Sequence, residues 1–316
     1  MQNYNKPIFI GIALASTFII ISCSILFLHS PYTNHAGSTL NVMCTTSILA
    51  DAVRNVGGSH ITVHSLMGPG VDPHIYRARE HDVHALATAN IIFYNGLHLE
   101  GKMSQMLHNL HRYTKTVAVA DAIPTHLLIQ SPEFEQVYDP HIWFDVQLWI
   151  RVVEYICDTL QLKDPGNAAA YQKNATAYIH KLEQLHAYVV HKTNSLPPAR
   201  RILVTAHDAF GYFGKAYGFN VVGLQGISTE SEASMQDIQH LVRYILKHNV
   251  PAIFIESSLP RRTIQAVQQA VEIHKCHITI EPELYSDALG TPGTPTDTYI
   301  GMVKHNIDAI VAALNS

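Results

Sequence analysis

Cysteine is scarce in this chain: there are four in 316 residues, and no two stand in a Cys-x-x-Cys spacing. Three of them, Cys44, Cys157 and Cys276, follow the first forty residues, and an odd number is not a complete disulfide framework. Cys44 falls in a predicted strand and Cys157 in a predicted helix, so both read as small buried hydrophobes, with a bridge between two of the three left open. Basic clusters are missing as well. Lys and Arg are scattered and the formal charge is only -4, which recommends no nucleic-acid partner. There is no heptad seam and no exposed apolar helix face, so a monomer is expected. Neither His-Glu-x-x-His nor Gly-x-Ser-x-Gly occurs, which removes the motifs of the common zinc proteases and serine hydrolases.

What the chain does have is 47% apolar residues, enough to exclude wholesale disorder, and 21 histidines against 21 Lys plus Arg. It also has one long uncharged apolar run, Pro7 to Leu28, behind the single cation Lys6. That run of roughly 22 residues reads as an export signal or anchor occupying 1–38, and it is long enough to span a bilayer. Ile20-Ile21-Ser22-Cys23 resembles a lipoprotein processing site, with Cys23 as the lipidated residue, but the apolar run continues past it through Leu28, and the other expectation is cleavage or an uncleaved anchor near Ser30 to Gly37. The remainder is expected outside the cytoplasm, in the periplasm or its equivalent.

From Leu40 onward short apolar runs alternate with helical periodicity, which predicts an α/β fold with mostly parallel sheets. Strands are expected at Leu40–Thr45, Ile61–Met67, Ile91–Tyr94, Val117–Val119, Ile202–Thr205, Asn220–Leu224, Ala252–Ile255 and His277–Ile280. Helices are expected at Ser47–Val56, Arg79–Ala89, Lys102–His111, Asp145–Leu160, Ala209–Tyr217, Glu232–His248, Arg262–Lys275 and Asp297–Leu314. Between Asp164-Pro165-Gly166 and Leu196-Pro197-Pro198 runs a helical pattern of roughly 28 residues without internal Gly or Pro, about 42 Å long. It divides the chain into an N-terminal lobe at 39–164, a linking helix at 165–195 and a C-terminal lobe at 196–316.

Four residues stand just beyond apolar runs: His74, His141, His207 and Asp287. The first two lie in a repeated tripeptide, Asp72-Pro73-His74 and Asp139-Pro140-His141, in which proline stiffens the turn and aims the imidazole. Three imidazoles and a carboxylate suit Zn²⁺ in tetrahedral array, and Mn²⁺ or Fe²⁺ if the carboxylate binds through both oxygens. Ligands in open α/β sheets sit beyond the carboxyl ends of strands, so one divalent metal ion is expected in the cleft between the lobes. Asp72 and Asp139 compete with Asp287 for the carboxylate role, but their predicted task is to cap the turn or accept an imidazole proton. Glu232 and Glu256, at loop ends, rank behind them. The pairs His81/His84 and His108/His111 read as exposed helix faces, and Tyr76, Trp143, Phe210 and Phe213 as walls of the cleft.

On these residues the chain resembles the metal-binding receptors of ABC importers, the TroA, PsaA and ZnuA type. The likeness covers about Leu40 to Leu314. It rests on Asp72-Pro73-His74-Ile75-Tyr76, Tyr94-Asn95-Gly96-Leu97-His98-Leu99-Glu100, Asp139-Pro140-His141-Ile142-Trp143, His207-Asp208-Ala209-Phe210-Gly211-Tyr212-Phe213, Gly226-Ile227-Ser228 and Asp287-Ala288-Leu289-Gly290. The resemblance implies two (β/α) lobes on one backbone helix, a divalent metal (Zn, Mn or Fe) held between them by His74, His141, His207 and Asp287, and delivery to a membrane permease. Departures exist. Arg77 and Ala78 stand where relatives usually carry Glu and Pro. The loop before His141 has only His126, where zinc-specialised relatives are His-rich, and His207 stands where manganese-specialised relatives commonly have Glu. Two alternatives remain, a secreted zinc-dependent hydrolase and a surface adhesin. Four protein ligands leave little room for a water nucleophile, which favours holding over catalysis. The stiff helix disfavours wide hinge closure, so release is expected to use a small motion that carries Asp287.

Overall fold

The first helix shows how local sequence sets the frame. In this computed structural model, which describes residues 39–131 and 136–315, β1 (Leu40–Cys44) runs straight into α1 (Ser47–Gly57). Thr46 caps that helix by accepting the Leu49 amide at 3.3 Å, and Gly58, at φ 56°, ends it in the region glycine occupies without strain. The predicted export segment and Cys23 lie outside the described residues.

β1 is one of the two inner strands of a four-stranded parallel sheet with β2 (Ile61–Ser65), β3 (Ile91–Tyr94) and β4 (Lys115–Ala118), in the order β2-β1-β3-β4. Helices α2 (Glu80–Thr88) and α3 (Ser104–Leu110) lie in this half. The single helix expected at Lys102–His111 is instead a 3-10 turn, Gly101–Met103, followed by α3. The chain before that turn is anchored by the buried Glu100 carboxylate. Its Oε1 accepts the Asn95 amide at 2.7 Å and the Thr45 hydroxyl at 2.6 Å.

After α4 (Val146–Lys163), helix α5 spans Ala168–Asn194, 27 residues. At 1.5 Å per residue it is about 40 Å long. Its buried stripe, Tyr171, Ala175, Tyr178, Leu182, Leu185, Val189 and Thr193, has the three-and-four spacing of one helix face. Polar bonds fix it along its length. Asn174 donates to Val56 O at 3.0 Å, Tyr178 to Asp51 Oδ2 at 3.0 Å, and Tyr188 to Asp308 at 2.7 Å.

The C-terminal half holds two parallel pairs, β5 (Ile202–His207) with β6 (Asn220–Gln225) and β7 (Ala252–Glu256) with β8 (Thr279–Leu284). Helices α6 (Gly211–Tyr217), α7 (Met235–His248), α8 (Arg261–Ile273) and α9 (Tyr299–Asn315) complete it. α9 returns to the beginning of the fold: the Tyr299 amide donates to Asp51 in α1 at 3.2 Å. The largest hydrophobic cluster joins residues of both halves, from Val42 to Leu314. The three cysteines of this region are free, Cys44 and Cys157 buried and Cys276 exposed. No helix among the described residues is long and apolar enough to cross a membrane.

Candidate metal centre

The two Asp-Pro-His tripeptides fold alike. Asp72 Oδ1 accepts the His74 amide at 2.9 Å, and Asp139 Oδ1 accepts the His141 amide at 2.9 Å. A carboxylate that bonds its own chain two residues on makes the turn without outside help, while proline fixes the residue between. The two then diverge. Asp139 Oδ1 also lies 2.7 Å from His141 Nδ1, whereas Asp72 gives its second oxygen to the Thr229 hydroxyl at 2.5 Å. Of the two tasks expected for these aspartates, Asp139 performs both and Asp72 only the cap. Both Asp72 oxygens are engaged, which leaves the free carboxylate oxygen to Asp287.

His207 closes β5, two residues later than the strand end expected at Thr205. Its amide donates to Glu256 Oε1 at 2.9 Å, and its Nδ1 stands 2.6 Å from Glu256 Oε2 in a close, bent contact. β6 passes so near that a Cβ on Gly223 would lie 2.6 Å from the His207 carbonyl carbon, so glycine is required there. Asp287 follows β8. Ser258 donates to its Oδ2 at 3.3 Å, and Trp143 Nε1 donates to Ser286 O at 2.9 Å, so the turn carrying Asp287 is tied to the one carrying His141.

The structure brings His74, His141, His207 and Asp287 together, with donor atoms all within 4.8 Å of one another. His141 Nε2 lies 3.3 Å from His74 Nε2, 3.4 Å from His207 Nε2 and 3.5 Å from Asp287 Oδ1, and His207 Nε2 lies 3.5 Å from Asp287 Oδ2. The edge of a tetrahedron around Zn²⁺ with bonds of 2.0–2.1 Å is about 3.3–3.4 Å. All four side chains are buried, from 0% exposed for His141 and His207 to 2% for His74. With the Nδ1–H of His141 donating to Asp139 and Nδ1 of His207 set against Glu256, the two Nε2 lone pairs face each other and a carboxylate. Asp287 Oδ1 has no hydrogen-bond donor. Buried lone pairs converging without a donor are stable only with positive charge between them.

Protons supply that charge when no cation does. Burial opposes protonation of His141, but Asp139 and then Asp287 outweigh it and hold the imidazole at about 9. Burial is likewise overcome at His207 by Glu256 and Asp287, and its pKa stands well above the ordinary value. No carboxylate pairs with the ring of His74 among the described residues, and burial pulls it down to about 3. Asp287, which burial alone would raise, is held well below the carboxylate range by His207 and His141. Asp208 is pushed up to about 6 by burial and by Asp139.

A cavity of about 620 Å³ leads to the centre, lined by His98, Tyr138, Asp208, Glu230 and Glu232, and of the four converging residues only His74 reaches it. Glu232 therefore sits at the mouth while Glu256, ranked beside it from sequence, touches His207. The signal that separates them is that Glu256 ends an apolar strand, as His207 does. Trp143 packs its ring 5.2 Å from that of His141, and Phe210 stacks on Phe144 at 4.2 Å, whereas Tyr76 turns away to donate to Asp82 at 2.7 Å. His81 pairs with Asp82 at 3.0 Å and His111 with Thr116 at 2.8 Å; neither helix pair joins a converging group among the described residues.

Comparison with known proteins shows what the chain as a whole is similar to. The zinc-binding protein TroA of Treponema pallidum is 48% identical over 273 residues, covering 86% of this chain and 88% of that protein. The manganese-binding lipoprotein MntA of Bacillus subtilis is 42% identical over 305 residues, 95% of this chain and 97% of its own. Among solved structures, the periplasmic zinc-binding protein TroA superposes with a TM-score of 0.86 at 47% identity, over 88% of this chain and 99% of that one. Fe(III)-bound YtgA from Chlamydia trachomatis gives 0.79 at 26% identity, over 87% and 98%. The family described as ZnuA, zinc-uptake complex component A periplasmic, matches residues 42–313. That stretch runs from the first strand to the last helix and takes in all four converging side chains, and the chain belongs to this family.

Proposed function

We propose that this protein is the extracytoplasmic receptor of an ABC importer, which captures one divalent transition-metal ion and hands it to a membrane permease. His74, His141, His207 and Asp287 are the ligands in this reading. The observation that carries it is the convergence of three imidazole nitrogens and a donorless carboxylate oxygen, all buried and within 4.8 Å of one another, with His141 Nε2 3.3–3.5 Å from each of the other three. Carboxylates behind two of the rings fix ring orientation and raise ligand basicity, a common second layer around bound metal. Four protein donors close the coordination shell, so no position is left for a reacting water, and the chain acts as a carrier rather than a hydrolase.

Zn, Mn and Fe all remain cargo in this proposal, because the relatives are named for different metals. A nitrogen-rich site binds Zn²⁺ more tightly than Mn²⁺ or Fe²⁺ whatever the cell imports, so affinity does not identify the cargo. Residues 1–38 serve export, either through a lipid anchor at Cys23 or through cleavage or an uncleaved anchor near Ser30 to Gly37, and 39–164 and 196–316 form lobes carried by the 165–195 helix in a monomer. Release uses a small movement carrying Asp287.

Elemental analysis of protein taken from its native compartment, with uptake of each radiolabelled metal by cells lacking the gene, tests the proposal. One bound transition metal per chain, and loss of uptake of that same metal, is the expected outcome. A metal-free protein that neither gains metal in vitro nor affects uptake overturns it.

A further inference from the structure

His74 is the exceptional ligand of the proposed set. His141 and His207 each have a carboxylate against Nδ1 and no exposure, whereas His74 has no such partner among the described residues and is the one of the four that lines the cavity. Its aim depends on Asp72, whose Oδ1 takes its amide. The other Asp72 oxygen is held from across the cleft. Thr229, 157 residues away in the segment between β6 and α7, donates its hydroxyl to Asp72 Oδ2 at 2.5 Å. Thr229 is buried although Gly226 and Glu230 in the same segment are exposed, because its side chain turns inward onto the buried Asp72.

A second crossing adjoins the first. Glu230 forms an ion pair with Lys102 of the N-terminal half, with both side chains about one-third exposed. The N-terminal half is shaped to receive it: a Cβ on Gly101 would lie 2.7 Å from Glu230 Oε1 and 3.1 Å from His98 Nε2. One short segment thus spans the mouth of the cavity, with an exposed fastening to Lys102 and a buried one that ends, through Asp72, on the backbone of the outermost ligand.

We infer that residues 226–231 form a strap that governs how fast the metal leaves, and that Thr229 is the positioning residue through which the strap acts on His74. This rests on the ligand set proposed above. While the hydroxyl holds Asp72, the first Asp-Pro-His turn is fixed from both sides and His74 points at the ion. When the strap lifts, Asp72 loses that bond and His74, the ligand that lines the cavity, loosens before the small movement that carries Asp287.

The test loads the full-length protein with Co²⁺, whose visible bands report coordination geometry, and follows release into excess chelator. Thr229→Val keeps the shape and removes the hydroxyl; Thr229→Ser keeps the hydroxyl; Glu230→Gln removes only the exposed fastening. Losing a hydrogen bond to a buried carboxylate is expected to speed release from Thr229→Val by roughly tenfold or more, with altered Co²⁺ bands. Thr229→Ser should match the unaltered protein in both, and Glu230→Gln should release faster with unchanged bands. Unaltered release from Thr229→Val or from Glu230→Gln overturns the inference, as does a Thr229→Ser protein that behaves like Thr229→Val. If Thr229→Val fails to fold, the other two variants still decide. An unaltered protein that takes up no Co²⁺ counts against the ligand set instead.

Discussion

Loading this protein with one divalent cation near pH 7.5 should expel about two protons, because the metal-free centre already holds charge where the ion will sit. The carboxylates against the rings keep His141 protonated up to about 9 and raise His207 well above its ordinary value, while His74, lowered to about 3, is neutral throughout the physiological range. A metal needs the lone pair on each Nε2, so both imidazolium protons must leave. The Nδ1 hydrogens stay on the rings, facing Asp139 and Glu256. Two positive charges depart as two arrive, and the surrounding carboxylates face the same total charge before and after. A site that stabilises two imidazolium ions in a buried space is thereby suited to a dication and not to a monovalent ion.

The direction and size of the pH effect follow. Protons compete with the metal, so lowering pH weakens binding and raising it strengthens binding. Below both raised pKa values the apparent association constant should change about 100-fold per pH unit, the slope of a two-proton exchange. The slope flattens as pH passes the value of about 9 held by His141. The window is therefore higher than that of free imidazole. Calorimetry of Zn²⁺ binding at pH 7.5 in buffers of different ionisation enthalpy counts the protons directly, and chelator competition from pH 6 to 9 gives the slope. A proton count near zero, or affinity unchanged between pH 6 and 8, refutes the reasoning. A count near three refutes the neutral His74.

Other consequences are as measurable. His207→Ala removes one of four donors and should abolish stoichiometric metal retention after gel filtration, with the fold retained by circular dichroism. Glu256→Gln leaves His207 without its anion and should weaken binding by about 10- to 100-fold, read by chelator competition. Tyr178→Phe removes the long helix's hydroxyl from the buried Asp51 carboxylate of α1 and should cost about 1–3 kcal/mol in urea denaturation, with metal affinity unchanged. For the metal-free protein, the raised pKa values of His141 and His207 contribute stability that is complete below the unfolded-state value of about 6.5 and lost as pH rises toward about 9. Its melting temperature should fall across that window, while the loaded protein, which carries neither proton, should not share the loss.

Much of the frame was readable in one dimension because its determinants are local. The strands near Leu40, Ile61 and Ile91 and the helix after Ser47 follow from period and from Gly57-Gly58, and a carboxylate placed two residues before a histidine, with proline between, closes its turn with its own backbone. Such features need no knowledge of the rest of the chain. Glu256 and Thr229 needed that knowledge. Glu256 and Glu232 are the same residue type near loop ends, and what separates them is that β7 comes to lie beside β5, so that the last residues of both strands meet. Thr229 sits in an exposed, turn-rich segment, and its bond to Asp72 exists only because two halves of the chain close on one another. The proposed ligands and Asp139, which raises His141, were thus written in short motifs, but Glu256 beside His207 and Thr229 beside Asp72 come from long-range pairing. Changes in those pairings can alter affinity and off-rate while every motif stays intact, so two chains with identical His, His, His, Asp sets need not hold a metal equally well.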